Sequence, residues 1–206
     1  KITDRNERVK TGIPGRFSVY NSLAAICVAQ KFGIDPEVIK EALAEVRVPG
    51  RSELVDNKLE LTIMIDYAHS PESLQNILQA AKSYTRGRVI SVFGCGGDRD
   101  ATKRPIMGEI AQRLSDIAIL TSDNPRTENP HLIIEDVKKG MNGDHYLVEE
   151  DREQAIVKAI EIAQKNDIIL IAGKGHETYQ ILGRKKIHFD DREIARREIV
   201  KRKIRG

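Results

Sequence analysis

Asp123, Asn124, Pro125 and Arg126 put a carboxylate, an amide and a guanidinium into four consecutive residues. They follow the apolar run Ile117, Ala118, Ile119, Leu120, with Thr121 and Ser122 between. The turn is therefore expected at the end of a strand, where open α/β sheets hold their ligands. Pro125 restricts Asn124 to extended backbone and stiffens the turn. Arginine reads a carboxylate through two parallel N–H donors, which lysine cannot do. The chemistry on offer is recognition of a small zwitterion. The plainer alternative is a surface turn that caps the next helix.

Three more apolar runs end in loops rich in functional groups. One runs from Asp66 through Tyr67, Ala68, His69 and Ser70 to Pro71, and a second covers Gly94, Cys95, Gly96, Gly97, Asp98, Arg99 and Asp100. The third is Gly173, Lys174, Gly175, His176, Glu177. Glycine turns let backbone N–H groups approach a ligand. The second loop is not a dinucleotide fingerprint, because Arg99 occupies the third glycine position, and this disfavours a plain NAD-binding domain. The third lacks the spacing and the Ser or Thr of a phosphate loop. Glu177 suits an ammonium group. Asp66 is expected to face a ribose or a cation rather than the core. His69 and His176 have no helical partner four residues away and no cysteine beside them, so no metal site is expected.

These loops need a sheet whose strand ends share an edge. Strands are predicted at residues 53–55, 61–66, 88–93, 117–121, 145–148 and 168–172. Helices are predicted between them at 71–83, 101–114, 131–140 and 151–164. The near-continuous apolar runs at 88–93, 117–120 and 168–172 mark parallel strands covered on both faces. A hairpin turning near Gly183 and a helix from Asp190-Asp191 follow, the latter with acids early and bases late, as its dipole prefers. Before the sheet, residues 1–16 read as irregular, and helices are predicted at 21–32 and, by the cap-then-proline rule, from Asp35-Pro36 to about residue 46. Two helices without a strand read as the end of another domain. The expected fold is α/β: a Rossmann-like, mostly parallel sheet with helices on both faces, preceded by a short helical segment.

Composition narrows the function classes. Of 206 residues, 40% are hydrophobic and 32% charged, an ordinary globular mixture. A net charge of +3 is too small to argue for nucleic acid. The basic stretch from Arg196 to Arg205 reads as a solvated helix face. Cys27 and Cys95 are the only cysteines and lie far apart, which suggests a reducing compartment. No apolar run approaches the roughly 18 residues of a membrane span, and no signal peptide is evident. The expected setting is cytoplasmic.

Taken together, the four loops and Lys103-Arg104-Pro105 resemble the Mur ligases of peptidoglycan synthesis, and within them the branch whose incoming amino acid is meso-2,6-diaminopimelate. The resemblance runs from about Gly15 to the end. It implies that residues 1–48 match the end of a central ATP-binding domain and 49–206 the C-terminal Rossmann-like domain. It implies an ATP-dependent amide ligase: ATP phosphorylates the D-glutamate carboxylate of UDP-N-acetylmuramoyl-L-alanyl-D-glutamate, and the amine of meso-diaminopimelate attacks to form the amide. It places Arg99, Asp123, Asn124, Pro125, Arg126, Gly173 and Glu177 around the amino acid, with Asn21, Arg51, Asp66 and His69 near the nucleotide. It implies Mg²⁺, held mostly by residues outside this chain, and a full-length monomer. The family's phosphate loop and carbamylated lysine have no counterpart here, so these residues alone are not expected to catalyse the reaction. The alternatives are a lysine-adding ligase of the same step, a folylpolyglutamate-type synthetase, or a non-catalytic amino-acid-binding module. Arg126 argues against the lysine version, because lysine brings no distal carboxylate.

Overall fold

The computed structural model describes residues 8–143 and 145–205. The chain divides into two compact units, Lys1–Val48 and Pro49–Gly206. The first contains α1 (Arg16–Lys31) and α2 (Pro36–Glu45). Asp35 caps α2 by accepting from Glu37 N, with Pro36 in the first turn. The start of α1 corrects the expectation of a helix from residue 21. Gly15, at φ 106°, breaks the chain, and Ser18 Oγ donates back to Gly15 O at 2.6 Å. Residues 16–20 carry no apolar period, so spacing alone misses that first turn. The only buried residues of the two helices are Ser18 and Ile39, whereas Val19, Tyr20, Val28 and Phe32 are exposed.

The second unit contains β1 (Glu53–Leu54), β2 (Thr62–Asp66), α3 (Pro71–Tyr84), β3 (Val89–Phe93), α4 (Lys103–Leu114) and β4 (Ile117–Leu120). It continues with α5 (Pro130–Lys138), β5 (Tyr146–Val148), α6 (Arg152–Ile162), β6 (Ile168–Ala172), β7 (Tyr179–Leu182), β8 (Lys185–His188) and α7 (Asp191–Arg205). The main sheet has the order β1-β2-β6-β3-β4-β5; only β1 is antiparallel. The hairpin β7–β8 forms a separate sheet.

Side chains alternate between the faces of each strand. Ile63, Ile65, Ile90, Val92, Ile119, Ile169 and Ile171 form one cluster with Ala155, Ile156, Ala159 and Ile160 of α6 and Ile194, Ala195 and Ile199 of α7. Met64, Phe93, Leu120 and Leu170, one step out of phase, are equally buried. The covered central strands thus read as unbroken apolar runs.

Helix ends follow local chemistry. Ser70 and Ser73 form a reciprocal capping box on α3. Asn129 caps α5, whose first residue is Pro130, one earlier than expected. Helix α4 starts two residues later than expected, because Asp100 Oδ1 accepts from Thr102 N and Oγ1 and holds a turn there.

Asp167 fastens the edge opposite the ligand loops. Its carboxylate accepts from Arg88 N, Nε and Nη2 and from Gln164 N at 2.7–3.1 Å, and its carbonyl accepts from Thr62 N. Burial alone would raise its pKa, but the Arg88 side chain and the two backbone donors outweigh this and hold it below the ordinary value. Asp167→Ala is expected to cost about 3 kcal/mol, because buried N–H donors lose their acceptor. A depressed native pKa stabilises above the unfolded value and stops doing so as pH falls through the folded value. The deficit should therefore be full at neutral pH and shrink below about pH 4. Urea unfolding of parent and variant at pH 7 and pH 3 measures it.

Candidate functional site

β2, β6, β3 and β4 are neighbours in the sheet. The loops leaving their C-terminal ends surround a cleft of about 270 Å³. His69, Arg99, Asp123, Asn124, Arg126, Gly173 and Glu177 all line it, with Tyr67, Gly96, Asp100 and Lys103. Pro125 is buried within its turn. Arg51 and Asp66 adjoin the lining through Tyr67, with the Arg51 guanidinium 4.7 Å from the centre of the Tyr67 ring. Asn21 is exposed on α1 of the other unit.

The turn at residues 123–126 is gripped from two sides. Gly97 N donates to Asn124 O at 2.9 Å, and a Cβ on Gly97 would lie 1.9 Å from Pro125 O, so only glycine permits this approach. On the other side the hairpin acts as a buckle. Arg126 N donates to Ile181 O, Gly183 N to Arg126 O, Ile181 N to Asn124 Oδ1 and Gln180 Nε2 to Asp123 O, all at 2.7–3.1 Å. These bonds hold Arg126 at φ 52°.

Arg126 Nη1 donates to Gly97 O at 2.8 Å and to Asn124 O at 3.3 Å. With Nη1 engaged, Nε and Nη2 form the side-on edge of the guanidinium. The Asp98 carboxyl is held below its usual range by the Thr127 hydroxyl and backbone N–H, which stitches the Gly94–Asp100 loop to the residues after Arg126.

The acidic side of the cleft is more enclosed. Glu177 Oε2 accepts from Asn124 Nδ2 at 2.9 Å and from Lys174 Nζ at 3.4 Å. Asp123 is 6% exposed, and its Oδ1 has no hydrogen-bond partner among the described residues. Burial pushes its pKa up, against the pull of Arg152 and Lys174. Gly173, at φ 117°, makes room for it: a Cβ there would stand 2.7 Å from Asp123 Oδ2. That oxygen lies 3.8 Å from Lys174 Nζ, an ion pair within the cleft's acidic wall. The cleft is thus lined by the Arg126 guanidinium and by the carboxylates of Asp123 and Glu177.

Asp66 departs from expectation. It is buried, and its Oδ2 accepts from Ser52 N at 2.7 Å and Ser52 Oγ at 3.5 Å. Burial raises its pKa. Its carboxylate anchors the 50–53 turn. His69 is exposed, with Nδ1 2.8 Å from Tyr67 O. No cluster of three His, Cys, Asp or Glu able to hold a metal occurs among the described residues. No described helix is long and apolar enough to cross a membrane.

The sequence assigns no part to Tyr67 or Lys103, although both lie in or beside flagged loops. Lys103 Nζ donates to His69 O at 2.8 Å and so joins two rims of the cleft. Gln180 and the hairpin carry no signal pointing to the turn that they fasten.

Residues 50–175 match the family model for the Mur ligase glutamate ligase domain. The chain belongs to the Mur ligase family. It is 54% identical over 207 aligned residues to a UDP-N-acetylmuramoyl-L-alanyl-D-glutamate–2,6-diaminopimelate ligase of Fusobacterium nucleatum, covering 99% of this chain and 43% of that protein. A ligase of the same name from Clostridium acetobutylicum is 53% identical, over 92% of this chain and 40% of its own length. A solved structure of such a ligase superposes with a TM-score of 0.74 at 38% identity, covering 95% of this chain and 40% of that one. The UDP-N-acetylmuramate–alanine ligase of Thermotoga maritima shares the fold at 21% identity, with a TM-score of 0.67. This Mur ligase chain spans about two fifths of the length of the curated relatives it matches.

Proposed function

We propose that this chain is the amino-acid-binding C-terminal part of an ATP-dependent acid–amino-acid ligase that joins meso-diaminopimelate to UDP-N-acetylmuramoyl-L-alanyl-D-glutamate. One observation carries the reading: Arg126 and Asp123 of one stiff turn line a single cleft together with the Glu177 carboxylate, and Arg126 Nη1 is anchored within the protein. The distal end of meso-diaminopimelate carries one carboxylate and one ammonium. The carboxylate meets Arg126, with Arg99 at the exposed lip; the ammonium meets Asp123 and Glu177. Asn124, held by Ile181 N and by Glu177, keeps the two halves in register. Fixing that end orients the amine at the other end toward the acceptor, which lowers the entropic part of the barrier.

ATP, when bound, supplies the phosphoryl group that activates the acceptor carboxylate. Arg51, exposed and stacked on Tyr67, and His69 fit a polyanionic nucleotide, and Asn21 is assigned there with them. Asp66 contributes by fixing Ser52 next to Arg51. Mg²⁺ would be held mostly by residues outside this chain. The first unit, whose helices bury almost nothing, is read as the end of the central ATP-binding domain. The enzyme is read as a cytoplasmic monomer.

The test is ADP release by the intact ligase supplied with ATP and the nucleotide dipeptide. Release should depend on meso-diaminopimelate and be far weaker with L-lysine. A preference for lysine would select the lysine-adding alternative, and no dependence on either amino acid would reject the reading.

A further inference from the structure

Lys174 has no part in the scheme above, yet it lies at the centre of the cleft's acidic wall. Gly173 and Gly175, at φ 117° and 52°, flank it with backbone that other residues rarely adopt. Its side chain is 0% exposed. Nζ is 3.3 Å from Asn124 Oδ1, 3.4 Å from Glu177 Oε2 and 3.8 Å from Asp123 Oδ1. The rings of Tyr179 and Phe189 flank the ammonium at 5.6 and 5.9 Å. Three oxygens around three N–H donors make a site for an ammonium ion. All three oxygens belong to residues that line the cleft. A buried cation is costly, and a well-packed apolar side chain of similar size often serves stability as well or better.

We infer that Lys174 is a specificity-determining positioning residue: its ammonium, held by Asn124, Glu177 and Asp123, cancels one of the two carboxylate charges of the cleft's acidic wall, Asp123 and Glu177, and so suits that wall to a zwitterionic end rather than a purely cationic one. This rests on the reading under Proposed function. With Lys174 in place, Asp123 and Glu177 are balanced by Lys174 and Arg126. A ligand end bearing both carboxylate and ammonium then adds no net charge. Without Lys174 the wall is left with excess negative charge. Such a wall favours an aminoalkyl end with no carboxylate and repels the carboxylate of the intended ligand. Lys174 also orients the Asn124 amide. With Oδ1 toward the ammonium, Nδ2 faces Glu177 Oε2.

The experiment compares Lys174→Met, Lys174→Gln and Lys174→Arg with the parent in the intact ligase, using meso-diaminopimelate and L-lysine at saturating ATP and nucleotide dipeptide. The neutral variants should raise KM for meso-diaminopimelate more than they lower kcat. Their preference for it over lysine, as a ratio of kcat/KM, should fall by about tenfold or more, the scale set by losing one charge-assisted contact. Lys174→Arg keeps the charge and should keep the preference. A neutral variant that folds, judged by a cooperative thermal transition, but loses both substrates equally overturns the inference. So does loss of preference in Lys174→Arg, or failure of both neutral variants to fold, which would make Lys174 a structural ion. A parent enzyme with no preference for meso-diaminopimelate overturns instead the reading of the cleft itself.

Discussion

Arg126→Ala in the intact ligase is expected to lose about ten- to a hundredfold in kcat/KM for meso-diaminopimelate, while its weak use of lysine stays at the parent level. The size follows from charge-assisted hydrogen bonds, worth roughly 1.5–3 kcal/mol each, with about 1.4 kcal/mol per tenfold. The asymmetry follows from the ligand, since lysine offers no distal carboxylate for the Nε and Nη2 edge. Arg126 also ties Gly97 O and Asn124 O through Nη1, so the substitution removes a structural tie as well. The hairpin limits that damage, because Arg126 N, Asn124 Oδ1 and Asp123 O keep their bonds to Ile181 and Gln180. Equal losses for both substrates would mean that the turn had collapsed and that Arg126 is a structural residue. An unchanged constant for meso-diaminopimelate would reject the carboxylate assignment outright. Steady-state kinetics with the two amino acids distinguishes the three outcomes.

What could be read from the sequence was local or periodic. Ile168–Ala172 announced a covered parallel strand because both of its faces are apolar. Asp35-Pro36 announced a helix start because caps act within three residues. The four polar loops were legible because each directly follows such a strand. What escaped depends on partners far along the chain. Lys174 looked like a plain glycine turn because its acceptor Asn124 lies 50 residues earlier. Asp66 looked like an open ligand group because nothing in its own segment shows Ser52 N arriving from 14 residues away. The engagement of Arg126 within the turn was invisible for the same reason, since Gly97 O and the hairpin reach it from two other loops.

Arg152 and Asp191 are the extreme case of a non-local pair, and breaking it should have the largest effect on stability. Both side chains are 0% exposed. Arg152 Nε and Nη2 donate to the two Asp191 oxygens at 2.9 and 2.8 Å, and Nη2 also donates to Ala172 O at 3.0 Å. The pair thus joins the first turns of α6 and α7 to the end of β6, one residue before Gly173 of the cleft. Asp191→Ala strands a buried guanidinium, and the expected cost is about 3–5 kcal/mol in chemical denaturation. The double variant Arg152→Met, Asp191→Leu removes both charges and should recover most of that loss, because desolvating a buried pair offsets much of its attraction. Catalysis should not recover with it. Burial already raises the Asp123 pKa, and the downward pull of Arg152 exceeds the opposing push of Asp191. Losing both groups therefore leaves Asp123 easier to protonate. On the proposed reading Asp123 must be ionised to receive an ammonium, so the acid-side fall of kcat/KM should begin at a higher pH in the double variant than in the parent. Restored stability with an unshifted pH profile would show that Arg152 serves packing alone and that the charge on Asp123 is set elsewhere.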